Sequence, residues 1–423
     1  MPLRRLVIAA VSGLMLAVFA TESTVSARQD DDFPSLSSLP SPARQSETIN
    51  LRVWWPDILY SENAATTLEN QFDSFRSAYV TVSLDLRYHE YQPIDTMHRL
   101  TLTRDVAPGA LPDLTLMRYE EIVTAVNRGL LQPVEGLLPP SVFNDLADNI
   151  LALGQIGNEF YGIPYLLSVD HMLYTGAVPT PPRDFTDFLG QDTPLLFAAR
   201  PTSGQTINDM LLIQYLAEGG YFVDQQNNPA LNEEAMLTVL DFYNAANQRD
   251  SFSPTLQEAL QFQTPTDYEL QVSADSPVLA LIDSSDYLRN RNRLPKEAQI
   301  TPPLTADGQP FTLLDGWMWV LLTNDPARQI QARNFLTWMM NSDNLTDTAL
   351  ALDMLPSQQR ALRVIAEDNN LTLLSNLVSV AYFLPPDQRQ NAAALALQAA
   401  FESVLQGTRP DAAAETALAS LRN

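Results

Sequence analysis

From Leu51 to Arg128 the chain switches repeatedly between two hydrophobic periods, and this limits the folds open to it more than any other feature. Leu51-Arg52-Val53-Trp54-Trp55 is β-branched and aromatic and stops at Pro56-Asp57, the pattern of a strand with a loop beyond its C-terminal end. Leu68, Phe72 and Phe75 recur at helical spacing within 61–78, and Val80, Val82, Leu84, Leu86 and Tyr88 then alternate as a strand does. Residues 94–104 return to a helical pattern, Leu111 to Leu116 reads as a second buried strand, and Glu120 to Arg128 as a helix stopped by Gly129. This β-α repetition predicts a mainly parallel sheet with helices on both faces. Ligands of such sheets bind beyond the carboxyl ends of the strands, which places Trp55–Asp57 and Met117–Glu120 on one rim.

The remaining chain continues the α/β pattern. Residues 160–175 are apolar and read as extended, a strand is expected at 195–199, and a helix from Thr206 to Glu218 closes at Gly219-Gly220. Asn232 caps a helix over 233–247. Val278 to Ile282 is a strand opening into Asp283-Ser284-Ser285-Asp286, and 311–322 reads as a strand pair. Asp325-Pro326 starts a helix running to Met340, and the Ala-rich end predicts helices over 391–406 and 410–421.

Composition removes whole classes of chemistry. With 25 basic against 50 acidic residues, the net charge of −25 disfavours nucleic acid and anionic lipid as partners. Lys296 is the only lysine, so a P-loop lysine is absent. Zero cysteines exclude disulfides, thiolate catalysis and cysteine zinc sites. His89, His98 and His171 lack metal-ligand spacing, and no Gly-x-Ser-x-Gly or Gly-x-Gly-x-x-Gly motif occurs. The sequence therefore calls for no metal and no cofactor.

Arg4-Arg5, the apolar run from Leu6 to Ala20, and Val25-Ser26-Ala27 read together as a secretory signal peptide over 1–27. The run is shorter than the roughly 20 apolar residues that span a bilayer. Residues 28–48 are acidic, then Ser/Pro-rich, and read as a flexible linker. The mature chain is expected to be exported and soluble, in the periplasm or at the extracytoplasmic face of the membrane.

Several stretches resemble one family. They are Trp54-Trp55-Pro56-Asp57, Leu111-Pro112-Asp113-Leu114, Gly129-Leu130-Leu131-Gln132-Pro133-Val134 and Tyr161-Gly162-Ile163-Pro164-Tyr165 with Tyr174 beyond it. Leu231-Asn232-Glu233-Glu234-Ala235, Gly316-Trp317-Met318-Trp319, Leu355-Pro356 and Val404-Leu405-Gln406-Gly407 complete the set. In order and spacing over 49–423 the chain is similar to the extracellular solute-binding proteins of ABC importers, of the maltose-binding-protein-like type. The resemblance implies a periplasmic-binding-protein-like α/β fold of two lobes joined by a hinge. Lobe 1 would take 49–165 and 297–335, lobe 2 166–296 and 336–423. It further implies a monomer that captures a small solute, a sugar or oligosaccharide, by hinge closure and delivers it to ABC transporter permease subunits.

By the same resemblance, Trp55 and Asp57 lie in the first-strand loop, where the family contacts ligand, and Arg118 and Glu120 follow the second strand-end slot. Ser168 falls where many relatives carry an acidic residue, a departure from their pattern, with Asp170 two residues further on, and Tyr165 is a rim aromatic. Arg200 and the run Asp283, Ser284 and Tyr287 match ligand-facing loops at strand ends, and Trp317 is assigned to the cleft. Small residues near Ala394 stand where maltose-binding relatives stack an aromatic ring. A secreted glycan-processing enzyme, which needs two facing carboxylates, and a ligand-presenting sensor of the same fold are the competing readings.

Overall fold

The computed structural model describes residues 48–175, 180–201, 205–249, 255–264, 267–268, 278–296 and 298–422. The expected signal peptide over 1–27, the linker up to residue 47, and Thr202 and Ser203 lie outside the described residues.

The first strands form as their patterns predict: β1 (Ile49–Pro56), β2 (Val82–His89) and β3 (Leu114–Met117). They are followed by β4 (Gln155–Ile156), β5 (Glu159–Phe160), β6 (Gly162–Thr175), β7 (Leu195–Leu196) and β8 (Val278–Asp283). The last are β9 (Gln299–Thr301), β10 (Thr312–Leu321), β11 (Leu355–Pro356) and β12 (Ala381–Tyr382). The main sheet runs β2-β1-β3-β10-β6-β8-β7. β1 pairs in parallel with β2 and β3, as β-α repetition requires, but β10 and β6 run antiparallel within the same sheet. The stretch expected as a strand pair at 311–322 is the single strand β10, because β3 and β6 pair with its two edges.

Helix ends follow local chemistry. Asn232 accepts from Glu234 and Ala235 to start the helix Glu233–Asn247, and Asp325 accepts from Ala327 and Arg328 ahead of Pro326–Met339. Asn208, accepting from Leu211, starts the helix Asp209–Ala217, which ends before Gly219 at φ 75°.

Two α/β lobes emerge from the packing. One core joins Leu51, Val53 and Trp55 of β1 to Leu68, Phe72 and Phe75, to Trp319 of β10, and to Phe335 and Leu336. Another joins Met172 and Tyr174 of β6 to Leu279 and Leu281 of β8 and to the helices carrying Leu211, Leu240, Leu397 and Phe401. The lobe break expected at 335 does not follow this packing. Leu336, Met339, Leu345 and Ala349 stay in the core of β1, and Leu371, Leu374 and Leu377 pack with Met97 and Leu100. The physical reason is continuity: the helix Pro326–Met339 buries Ala332, Phe335, Leu336 and Met339 in the core of β1, and the chain rejoins the second core at Leu384.

The strands β6 and β10 cross between the lobes side by side. Their closeness depends on Gly316, where an added Cβ would lie 2.6 Å from the Leu166 carbonyl oxygen.

Candidate functional site

Strand register builds the floor of a cleft. Asp315 of β10 stands opposite Ser168 of β6, and Asp170 of β6 opposite Asp283 of β8. Residues two apart on a strand share a face, and directly opposed residues point the same way, so all four side chains gather on one side of the sheet. Asp283 ends β8 and caps the helix Ser284–Asn290, accepting from the Ser285 N–H at 2.7 Å.

The walls come from both lobes. Arg118, Tyr119 and Glu120 stand where β3 ends and the helix Tyr119–Asn127 begins. Across from them lie Arg200, Asn208 and Asp209, with Phe383 and Arg389 at one side. The enclosed volume is about 410 Å³. Rings of Tyr119 and Phe383 meet at 4.6 Å and provide the main aromatic surface.

Charge is paired at Arg118–Asp315 and Arg389–Asp209, while Asp170 and Asp283 on the floor have no ion-pair partner among the described residues. The Arg118 guanidinium bridges to Asp315 at 3.0 Å and lies 5.5 Å over the Trp317 ring. The Asp315 charge holds the Arg118 guanidinium protonated, above its ordinary range. Glu121 accepts from the Arg118 backbone N–H and from the Tyr91 hydroxyl, each at 3.0 Å, which fixes the turn carrying Arg118. Burial pushes the Glu121 carboxyl up to about 7. Arg389 pairs with Asp209. Burial raises the carboxyls of Glu120 and Asp283, the latter partly offset by hydrogen bonds from Ser285 and Ser168. Asp170 is pushed up to about 8, by burial first and by the Asp283 charge opposite it second. Among the described residues, no group of three or more His, Cys, Asp or Glu side chains is placed to hold a metal ion.

The cleft brings together six residues named from the sequence: Arg118, Glu120, Ser168, Asp170, Arg200 and Asp283. The other six lie elsewhere. Trp55 is fully buried, donates to the Leu59 carbonyl at 2.6 Å, and packs on Phe72 and Trp319. The parity Leu51-Val53-Trp55 puts it on the core face, while Trp54 tilts against His89 on the other. Asp57 is exposed and accepts from the Tyr91 N–H at 2.9 Å, ordering a loop. Tyr165 is fully buried against Trp319. Trp317 is 4% exposed and sits behind Arg118, edge-on to Tyr91. Ser284 is buried, accepting from the Val169 N–H at 3.1 Å. Tyr287 faces away, edge-on to His171. Sequence reasoning missed Asp315, Asn208, Asp209 and Arg389. Asp315 had a signal, standing one residue before a Gly-Trp pair on a recognised strand, whereas Arg389 lies in a Pro-Pro-Asp-Gln-Arg turn with no periodicity to place it.

The floor carboxylates set a pH dependence of stability. Asp170 holds its proton to about pH 8 when folded, whereas an unfolded aspartate releases it near its ordinary value of 3.8. The native state therefore binds more protons between these two pH values, and stability falls as pH rises through that window. Asp170→Asn, which cannot ionise, is expected to flatten this fall and to raise Tm at pH 8 by about 2 °C or more. Thermal melts of both proteins from pH 5 to 8 check it, and parallel curves refute the assignment.

A family model described as bacterial extracellular solute-binding protein matches residues 89–370. No curated protein sequence matches the chain. Among solved structures, the cyclic α-maltosyl-1,6-maltose binding protein from Arthrobacter globiformis is similar at TM-score 0.69 and 16% identity, covering 88% of this chain and 98% of that one. The maltose-binding periplasmic protein MalE from Listeria monocytogenes, in complex with maltose, follows at TM-score 0.68 and 13% identity, with 88% and 97% covered. Maltose-bound MalE3 of T. maritima gives TM-score 0.64 at 12% identity, with 88% and 99% covered. At these identities the likeness establishes a shared two-lobed fold.

Proposed function

This chain belongs to the bacterial extracellular solute-binding proteins, and from that premise we propose that it captures a carbohydrate between its lobes and delivers it to the permease of an ABC importer. The observation that carries the reading is a polar cleft of about 410 Å³ whose walls come from both lobes and whose floor is the pair of crossing strands. A solute touching both walls favours the closed arrangement by its differential affinity for it. Arg118, Glu120, Ser168, Asp170, Arg200 and Asp283 are the proposed ligand contacts. Carboxylates and guanidiniums suit sugar hydroxyls because they accept or donate in pairs. The sugar-binding structures with this fold support the same class of solute. The protein works by binding, outside the cytoplasm, and transforms nothing. Among the described residues, no helix is long and apolar enough to cross a membrane.

Calorimetric titration with neutral and charged mono- and oligosaccharides tests this. One-to-one binding of a saccharide is expected, with a change in tryptophan emission that Trp317→Phe diminishes, since Trp317 lies directly behind Arg118. Silence across the panel, or appearance of saccharide cleavage products, overturns the reading.

A further inference from the structure

The floor of the cleft carries more negative charge than its own cations answer. Arg118 is engaged by Asp315 and Arg389 by Asp209. Arg200 stands exposed at the rim. Asp170 and Asp283 are left facing each other as direct partners across antiparallel strands. Such partners have Cβ atoms about 4.5–5.5 Å apart, and like charges there repel. Neither forms an ion pair among the described residues, and both line the cleft. From this juxtaposition, and resting on the carbohydrate reading above, we infer that the ligand is an amine-bearing sugar whose ammonium sits between Asp170 and Asp283.

An ammonium matches the pair in number and reach. It carries three donors, enough for both carboxylates and one further acceptor. A calcium ion takes 6–8 oxygens, far more than two carboxylates offer. The rest of the cleft is built for a saccharide body. Arg118 and Arg200 offer donors for hydroxyls, and the Tyr119–Phe383 ring pair offers an apolar face. A cleft of about 410 Å³ is also within the range that encloses compact ligands.

Proton linkage supports the same assignment. The charged groups around Asp170 are Asp283, Asp315, Asp286 and Arg389, three of them anionic. Asp283 in turn faces Asp315 and the hydroxyls of Ser168 and Ser285. The floor therefore favours a proton on Asp170, and an ammonium replaces it. Binding releases protons, and affinity rises with pH as Asp170 ionises, until the ligand amine loses its own proton.

The test is calorimetry at pH 7 with the glucosamine disaccharide, its N-acetylated counterpart, maltose and spermidine. The free-amine disaccharide is expected to bind about tenfold or more tighter than its acetylated form, as one charge-assisted hydrogen bond predicts. Measurement in two buffers of different ionisation enthalpy is expected to show proton release. Asp170→Asn and Asp283→Asn should abolish the preference for the free amine over its acetylated form. Asparagine at 283 keeps the helix cap, so the fold is preserved. If neutral saccharides bind as tightly as the amine, or the variants keep the preference, this inference falls and the carbohydrate reading stands. If spermidine alone binds, the carbohydrate reading falls and takes this one with it.

Discussion

Asp113→Ala is expected to destabilise the fold by about 3–5 kcal/mol, the cost of leaving a buried charge without its partner. The Asp113 side chain is 1% exposed and accepts from the Arg52 N–H at 2.8 Å. It is also 3.8 Å from the Arg52 guanidinium and 3.3 Å from that of Arg328. Its backbone adds two more ties, donating to the Arg52 carbonyl at 2.8 Å and accepting from the Leu322 N–H at 2.9 Å. One residue thus fastens β1, β10 and the helix Pro326–Met339 together. Burial raises the Asp113 carboxyl, opposed by the Arg52 hydrogen bond and charge, so the site is held by geometry as much as by charge. Asp113→Asn keeps an acceptor for the Arg52 N–H and is expected to cost less than the alanine variant. Urea denaturation of the three proteins decides it: a loss under about 1 kcal/mol for the alanine variant contradicts the assignment.

Trp319→Ala is the second large effect, also expected at about 3–5 kcal/mol. The ring is fully buried and meets Trp55 at 5.6 Å, Tyr165 at 5.5 Å and Phe335 at 5.6 Å. Removing it empties the centre of the first lobe's core, and neighbours held by strands on two sides collapse only partly into the space. Trp319→Phe should recover part of the loss. Since the whole cluster lies behind the cleft, saccharide affinity of the folded fraction should stay within about twofold of the parent. A large fall in affinity at unchanged stability would return these rings to the binding surface.

What the sequence made legible was whatever local pattern decides. The β-α repetition from Leu51 to Arg128, the caps at Asn232 and Asp325, and the two C-terminal helices Ala392–Leu405 and Pro410–Ser420 all formed near their expected bounds. Arg118, Glu120, Arg200 and Asp283 were reachable because they stand at or just beyond strand ends, whereas Ser168 and Asp170 lie inside β6 and were reached only through the family resemblance. The aromatic residues were not legible. Trp55, Tyr165 and Trp317 are apolar enough for a core and flat enough for a sugar, and only pairing between distant strands decides which way each one faces. Trp317 shows this well: the β10–β6 register shifts between Trp317 and Met318, so its surroundings follow from a bulge that no period announces. Arg389 reaches the cleft through a turn far along the chain, where charge alone gave no direction.

The crossing of β6 and β10 has a mechanical consequence. Both strands run from the sheet of one lobe into that of the other, held by a ladder from Leu314–Val169 to Val320–Gly162 that is shifted once, between Trp317 and Met318. A pair of hydrogen-bonded strands resists sliding and stretching, because either motion breaks several bonds together, but it yields readily to rotation about its own long axis. The lobes are therefore coupled as by a torsion spring. Ser168, Asp170 and Asp315 stand on that two-stranded ribbon and Asp283 is paired to it from β8, so a twist of the ribbon would turn these groups together. On the proposed function, the charge offered to a ligand and the element that joins the lobes belong to one ribbon.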